Sequence, residues 1–150
     1  VIEFIVEGKP VPQPRPRVFR TETGKSKAVN SSRSVTYKRL VKLTAKSEMN
    51  KRRMIIIPDP IPVAVHLNFV YSIPTSYAKK KRQSAQDGTL RYVKRPDLDN
   101  LAKAILDALN GTIYQDDSQV VELSINKEYG NTDHVSIKVK DLSGMSALNR

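Results

Sequence analysis

Pro96-Asp97-Leu98-Asp99-Asn100-Leu101-Ala102-Lys103-Ala104-Ile105-Leu106-Asp107-Ala108-Leu109-Asn110-Gly111 is the stretch on which the fold turns. Leu98, Leu101, Ala102, Ile105, Ala108 and Leu109 recur at three- and four-residue intervals and mark one apolar helix face. Pro96 suits a helix entry, and Gly111 stands where a left-handed C-terminal cap is wanted. Asp99, Lys103 and Asp107 follow one another at four-residue intervals along the same helix line.

Downstream of this helix, residues 119–128 and 134–140 alternate and predict two strands. Val121, Leu123 and Ile125 mark one inner face, Val135, Ile137 and Val139 the other, and the turn residues at 130–133 predict an antiparallel hairpin. Upstream, Val63, Val65, Leu67 and Phe69 alternate with polar neighbours in a further strand, on whose polar side His66 reads as a surface residue. Over 36–53, Tyr37, Leu40, Val41, Ala45 and Met49 form the stripe of an amphipathic helix with a basic outer face. Ile2, Phe4 and Val6 predict a first strand. Four prolines in 9–17 exclude helix there and predict an extended loop. Residues 21–33 read as a flexible basic loop, Lys79 to Arg82 as a short helix or exposed arm, and 142–150 as a frayed tail. The expected fold is α+β: a single compact domain over 1–150, with a mixed sheet packed against two main helices.

Composition narrows the chemistry. The 150 residues hold no Cys and two His, which excludes disulfides, thiolate zinc sites and a cysteine nucleophile. No apolar run approaches the ~20 residues needed to span a bilayer, and the first eight residues lack the layout of a signal peptide. The net charge is +11, a usual electrostatic footprint of nucleic-acid binding. Its distribution is uneven. Residues 9–53 hold 14 Lys/Arg against 2 acids, whereas 97–128 hold 7 acids against Lys103 and Lys127.

That acidic island sits at the edges of one helix-to-strand unit. Residues two apart on a helix point away from each other, so Asp97 and Asp99 converge only if Asp97 lies before the helix or at its cap. A single Asp there needs no explanation beyond capping and the helix dipole, worth about 0.3–1 kcal/mol. Two acids, an Asn and the later Asp116-Asp117 pair exceed that need. Clustered carboxylates repel unless a cation lies between them, and with so little Cys or His the natural partner is a hard, oxygen-binding metal such as Mg²⁺. Strand parity with Val121, Leu123 and Ile125 selects Asp117 over Asp116 for the cluster. Asp116 then reads as a surface or supporting residue, and a kink at Ser118 would exchange the two and make Asp116 the metal ligand. Lys103 is placed for an ion pair with Asp99, worth ~0.3–0.5 kcal/mol on an exposed helix.

Arg95-Pro96-Asp97-Leu98-Asp99-Asn100 with Lys103, Asp107-Ala108-Leu109 and Asp116-Asp117-Ser118-Gln119-Val120 resembles the RusA-type Holliday-junction resolvases of bacteria and prophages. The resemblance is carried by residues 95–121. It implies a cytoplasmic, homodimeric, Mg²⁺-dependent endodeoxyribonuclease, with Mn²⁺ a plausible substitute, that makes paired symmetric nicks across a four-way junction in recombination and repair. It also implies that Asp97, Asp99 and Asp117 bind the metal and that Lys103 is the catalytic lysine. Phosphate contacts are expected from Arg15, Arg17, Lys25, Lys27, Lys79, Lys80, Lys81, Arg82, Lys94 and Arg95. Two other readings compete: a basic nucleic-acid-binding module whose acids are only caps, and a metal-dependent nuclease preferring flaps or single strands.

Overall fold

Apolar alternation places Val63, Val65, Leu67, Phe69 and Tyr71 on one side of β4 (Val63–Ser72), and all five are buried. The same period-two logic buries Ile2, Phe4 and Val6 of β1 (Ile2–Glu7) and Val135, Ile137 and Val139 of β6 (His134–Asp141). With β5 (Val120–Gly130) these strands form one sheet in the order β1-β6-β4-β5. The β1–β6 and β6–β4 pairs are antiparallel and β4–β5 is parallel, so the sheet is mixed. The computed structural model describes residues 1–14, 17–20, 26–29 and 32–144, the segments 17–20 and 26–29 by their backbone alone.

Two helices cover the apolar face. α1 (Ser32–Lys51) buries Tyr37, Val41, Ala45 and Met49 as its spacing predicts, although Leu40 stays 44% exposed. α3 (Leu98–Leu109) buries Leu101, Ala102, Ala104, Ile105, Ala108 and Leu109 and ends at Gly111, whose φ of +73° supplies the left-handed cap. The short α2 (Lys79–Gln86) carries the lysine run of the expected arm. The α+β architecture, with a mixed sheet on two main helices, is thus the one expected.

Three local expectations are corrected. β5 and β6 do not pair as a hairpin, because β4 lies between them. Residues 131–133 must therefore bridge two strand spacings, roughly 9–10 Å. They are held over the end of β4 by Asp133, whose carboxylate accepts the Ser72 amide at 2.8 Å and whose carbonyl accepts the Gly8 amide at 3.0 Å. The inner face of β5 is also less buried than its pattern suggests: Val121 is 62% and Leu123 44% exposed. β5 is an edge strand, and a register shift beside Val63 sets Val120, not Val121, against Val63. Finally, part of the expected basic loop is ordered. β2 (Arg17–Arg20) pairs antiparallel with β3 (Ser26–Val29), the strand-favouring Val18, Phe19 and Val29 outweighing the polar composition around them. At the other end Leu142 is buried, and its amide donates to the Pro62 carbonyl at 2.9 Å, while 145–150 lie outside the described residues.

Gly130 is where the bridge leaves β5, and a Cβ there would collide with Cγ1 of Val70. Gly130→Ala is expected to cost about 1–3 kcal/mol, the usual penalty of overpacking, in urea denaturation. Adding Val70→Ala should recover part of that loss.

Candidate active site

Asp97 is the N-cap of α3, with extended backbone (φ −72°, ψ 144°), and Asp99 lies in the first helical turn. This is the arrangement that convergence of the two carboxylates requires. Both are exposed. Asp97 makes no capping hydrogen bond although it holds the capping position, and no ion pair among the described residues. Asp99 accepts the neighbouring Asn100 amide at 2.9 Å. A carboxylate at a cap that does not cap is available for something else.

Across the start of α3 runs the proline-rich segment. The Gln13 amide donates to the Asn100 carbonyl at 2.9 Å, and the Tyr71 hydroxyl to the Pro10 carbonyl at 3.4 Å. Between this segment and the helix lies a groove of about 780 Å³, bordered by Lys9, Arg33 and Arg95 as well as by Asp97 and Asn100. Three cations thus flank one free carboxylate, a charge pattern suited to a phosphodiester.

The other predicted residues are spread more widely. Lys103 pairs with Asp107 at 3.7 Å rather than with Asp99. Asp117 starts a short 3-10 turn, 117–119, so strand parity does not reach it. Asp116 is committed to that turn: its carboxylate takes the Ser118 hydroxyl, and its amide donates to Gln119 Oε1 at 2.8 Å. Asp117 has no such partner among the described residues. Buried Tyr114, whose hydroxyl donates to the Leu106 carbonyl at 3.1 Å, has its phenol pKa raised by burial first and then by Asp117 and Asp107. Asp117 therefore lies by the second half of α3. Val120 and Lys127, the latter at the Asp97 end, are separated by about 23 Å of strand. Among the described residues of one chain, no three of His, Asp and Glu gather closely enough to surround an ion.

Of the expected phosphate contacts, Lys79, Lys80 and Lys81 are exposed on α2, whereas Arg82 donates back to the Pro74 carbonyl at 3.3 Å. Lys94 and Arg95 are exposed beside the groove. Arg17 and Lys27 belong to the β2–β3 ribbon, and Arg15 and Lys25 lie outside the described residues. Sequence reading missed a cluster next to them. Tyr92 stacks on Tyr71 with ring centroids 4.6 Å apart and meets Tyr129 edge-on at 4.9 Å, while the Tyr77 and Tyr129 hydroxyls lie 3.0 Å apart. Lys81 and Lys94 stand 4.1 and 5.2 Å from the Tyr77 ring centroid, and hydrogen bonding to Lys94 and then Tyr129 lowers the Tyr77 pKa.

The contacts of Gln119, a residue of the quoted motif, are not readable from the sequence either. Its buried side chain donates to the carbonyls of Ile57, Pro58 and Ile61 at 3.3, 3.1 and 2.9 Å while receiving the Asp116 amide, so it fastens the turn carrying Asp117 to the 57–61 segment.

A mixed sheet covered by helices, with the free Asp97 carboxylate at a helix start in a groove bordered by Lys9, Arg33 and Arg95, is an arrangement suited to the class of proteins that handle nucleic-acid phosphates. Residues 7–140 match the family of the endodeoxyribonuclease RusA, and the chain belongs to that family. It is also 37% identical over 142 residues to YqaN of Bacillus subtilis (strain 168), an uncharacterised protein, across 95% of this chain and 97% of that one. Membership makes it one of a family of DNA nucleases. Among the described residues, no helix is long and apolar enough to cross a membrane.

Replacing Gln119 by Ala should strand a buried amide and three carbonyls. The expected cost is about 1–3 kcal/mol of stability, measured by thermal and urea unfolding.

Proposed function

We propose that this chain is a divalent-metal-dependent endonuclease, encoded by a bacterium or a phage, that resolves four-way DNA junctions by symmetric nicks, acting as a homodimer in the bacterial cytoplasm. The observation that carries the reading is the exposed, unbonded carboxylate of Asp97 at the cap of α3, two residues before Asp99 and inside a groove lined by Lys9, Arg33 and Arg95. Two carboxylates suffice for a hard cation. Mg²⁺ keeps several waters and is commonly bound through one or two acids plus substrate phosphates. Asp97 and Asp99 would hold it, and when bound it supplies Lewis-acid charge and a more acidic water.

The remaining work falls to the chain's own groups. Lys9, Arg33 and Arg95 draw the DNA backbone into the groove, and Lys79, Lys80, Lys81 and Lys94 extend that field along the Tyr77 side. Lys103 is held only by an exposed pair with Asp107, so it is free to swing toward negative charge that develops on the phosphate or leaving oxygen. Asp117, placed by the other half of α3, acts as the third carboxylate when a second copy of the chain brings it to the pair. A two-fold dimer matches the symmetry of a four-way junction.

With a labelled junction, Asp99→Asn should abolish nicking with and without added Mg²⁺ while leaving junction affinity within about twofold. Equal loss of cleavage and binding would remove the metal role. In competition with flap and linear duplex, the junction should be cut first; preference for the flap would identify a nuclease of different structural taste. Mixing Asp99→Asn with Asp117→Asn chains should restore part of the nicking if Asp117 crosses between copies, and none if it does not.

Neutralising Lys79, Lys80 and Lys81 to Gln should weaken junction binding and flatten its dependence on salt by up to about three contacts in the log–log slope. An unchanged slope would take α2 out of the contact surface.

A further inference from the structure

We infer that Lys127 is a positioning residue that sets the Asp97 carboxylate from the neighbouring edge strand β5, a role resting on the reading of Asp97 and Asp99 as the cation-holding pair. Lys127 lies on β5 in register with the buried Phe69, on the same side of the strand as Leu123 and Ile125. A cation at a position of apolar parity needs strong acceptors. It finds them in two backbone carbonyls: Nζ donates to Lys94 O at 2.7 Å and to Pro96 O at 2.8 Å. It also lies 5.7 Å from the centroid of Tyr92 and makes no ion pair among the described residues. The whole donor capacity of the ammonium is thus turned on the peptide segment that leads into Asp97 and on the ring beside it.

The effect of that clamp on Asp97 is direct. Pro96 is the residue immediately before Asp97, so its carbonyl belongs to the peptide plane that delivers Asp97 to the cap. Asp97 makes no side-chain bond of its own to fix the entry of the chain. Hydrogen bonds from a charged donor are short and about twice as strong as neutral ones, and two of them, two residues apart, define the path of 94–96. The anchor is rigid: Tyr92 is stacked on buried Tyr71, which belongs to the central strand β4. Lys127 never needs to touch the DNA or the cation. It holds the backbone that presents the ligand, as groups behind metal ligands commonly do.

The test uses the full chain with Lys127→Met, close in length but without donors, and Lys127→Arg, which can serve both carbonyls. Mn²⁺ alone is titrated against each by electron paramagnetic resonance, amide exchange of residues 94–101 is followed by mass spectrometry, and junction nicking is resolved into kcat and KM. Lys127→Met is expected to weaken Mn²⁺ binding by roughly 10–100-fold and to lower kcat correspondingly, with KM nearly unchanged. Exchange should speed up in 94–101 alone, and Lys127→Arg should restore all three. Wild-type Mn²⁺ affinity in a folded Lys127→Met chain would overturn the inference. So would faster exchange spread over the entire sheet, or an Arg variant no better than Met. If the unaltered chain neither binds Mn²⁺ nor nicks the junction, the functional reading fails instead, while acceleration confined to 94–101 still upholds the clamp.

Discussion

Burial of one side of α3 against the sheet is the interaction from which the site follows. Leu101, Ala102, Ala104, Ile105, Ala108 and Leu109 are all removed from water, and each large side chain among them contributes about 1.5–3 kcal/mol. Once that face is fixed, helix geometry decides everything on the opposite one. Asp99, Lys103 and Asp107 must line the solvent side, and Asp97 must stand at the mouth. The three alanines allow close approach to the neighbouring elements without spending volume. A rotation of the helix by a few tens of degrees would bury a carboxylate, which the apolar packing forbids.

How much of this was legible in the sequence depends on whether the governing contact is local. α3, its Gly111 cap and the parity of β1, β4 and β6 rest on short-range periodicity and were readable. The false hairpin rests on an equally clear local turn at 130–133. What a turn signal cannot reveal is that β4, some sixty residues earlier, occupies the space between the two strands. Strand parity extended backward selects Asp117 over Asp116, an argument that the 3-10 turn at 117–119 invalidates. Ser118 and Gln119 tie up Asp116, while Asp117 has no such partner among the described residues. Lys127 did leave a trace: it breaks the apolar sequence Val121, Leu123, Ile125 at the next position of the same parity. The contacts of Gln119 and of the tyrosine cluster left none, because their partners at 57–61, 71, 77 and 92 are distant in the chain.

Charge and architecture are complementary here. Acids concentrate on α3 and the turn after it, while cations come from the proline-rich segment, α1, α2 and the approach to α3. The proline-rich segment is the hinge of that arrangement, since Gln13 and Pro10 fasten it to α3 and to β4 and so fix one cationic wall beside Asp97. A polyanion entering the groove meets a positive rim before it reaches the carboxylates. The groove thus carries a local positive rim around the Asp97 carboxylate that does not depend on the overall charge of the molecule.

The short bridge over the end of β4 also bears on how such a chain can change over evolutionary time. Residues 131–133 cross two strand spacings with no slack, beneath Gly130 and bonded to Ser72 and Gly8. A deletion there would pull β5 or β6 out of register, and an insertion would break the anchoring bonds of Asp133. Drift in length is therefore channelled away from this corner, toward exposed connections that no such anchoring bonds hold.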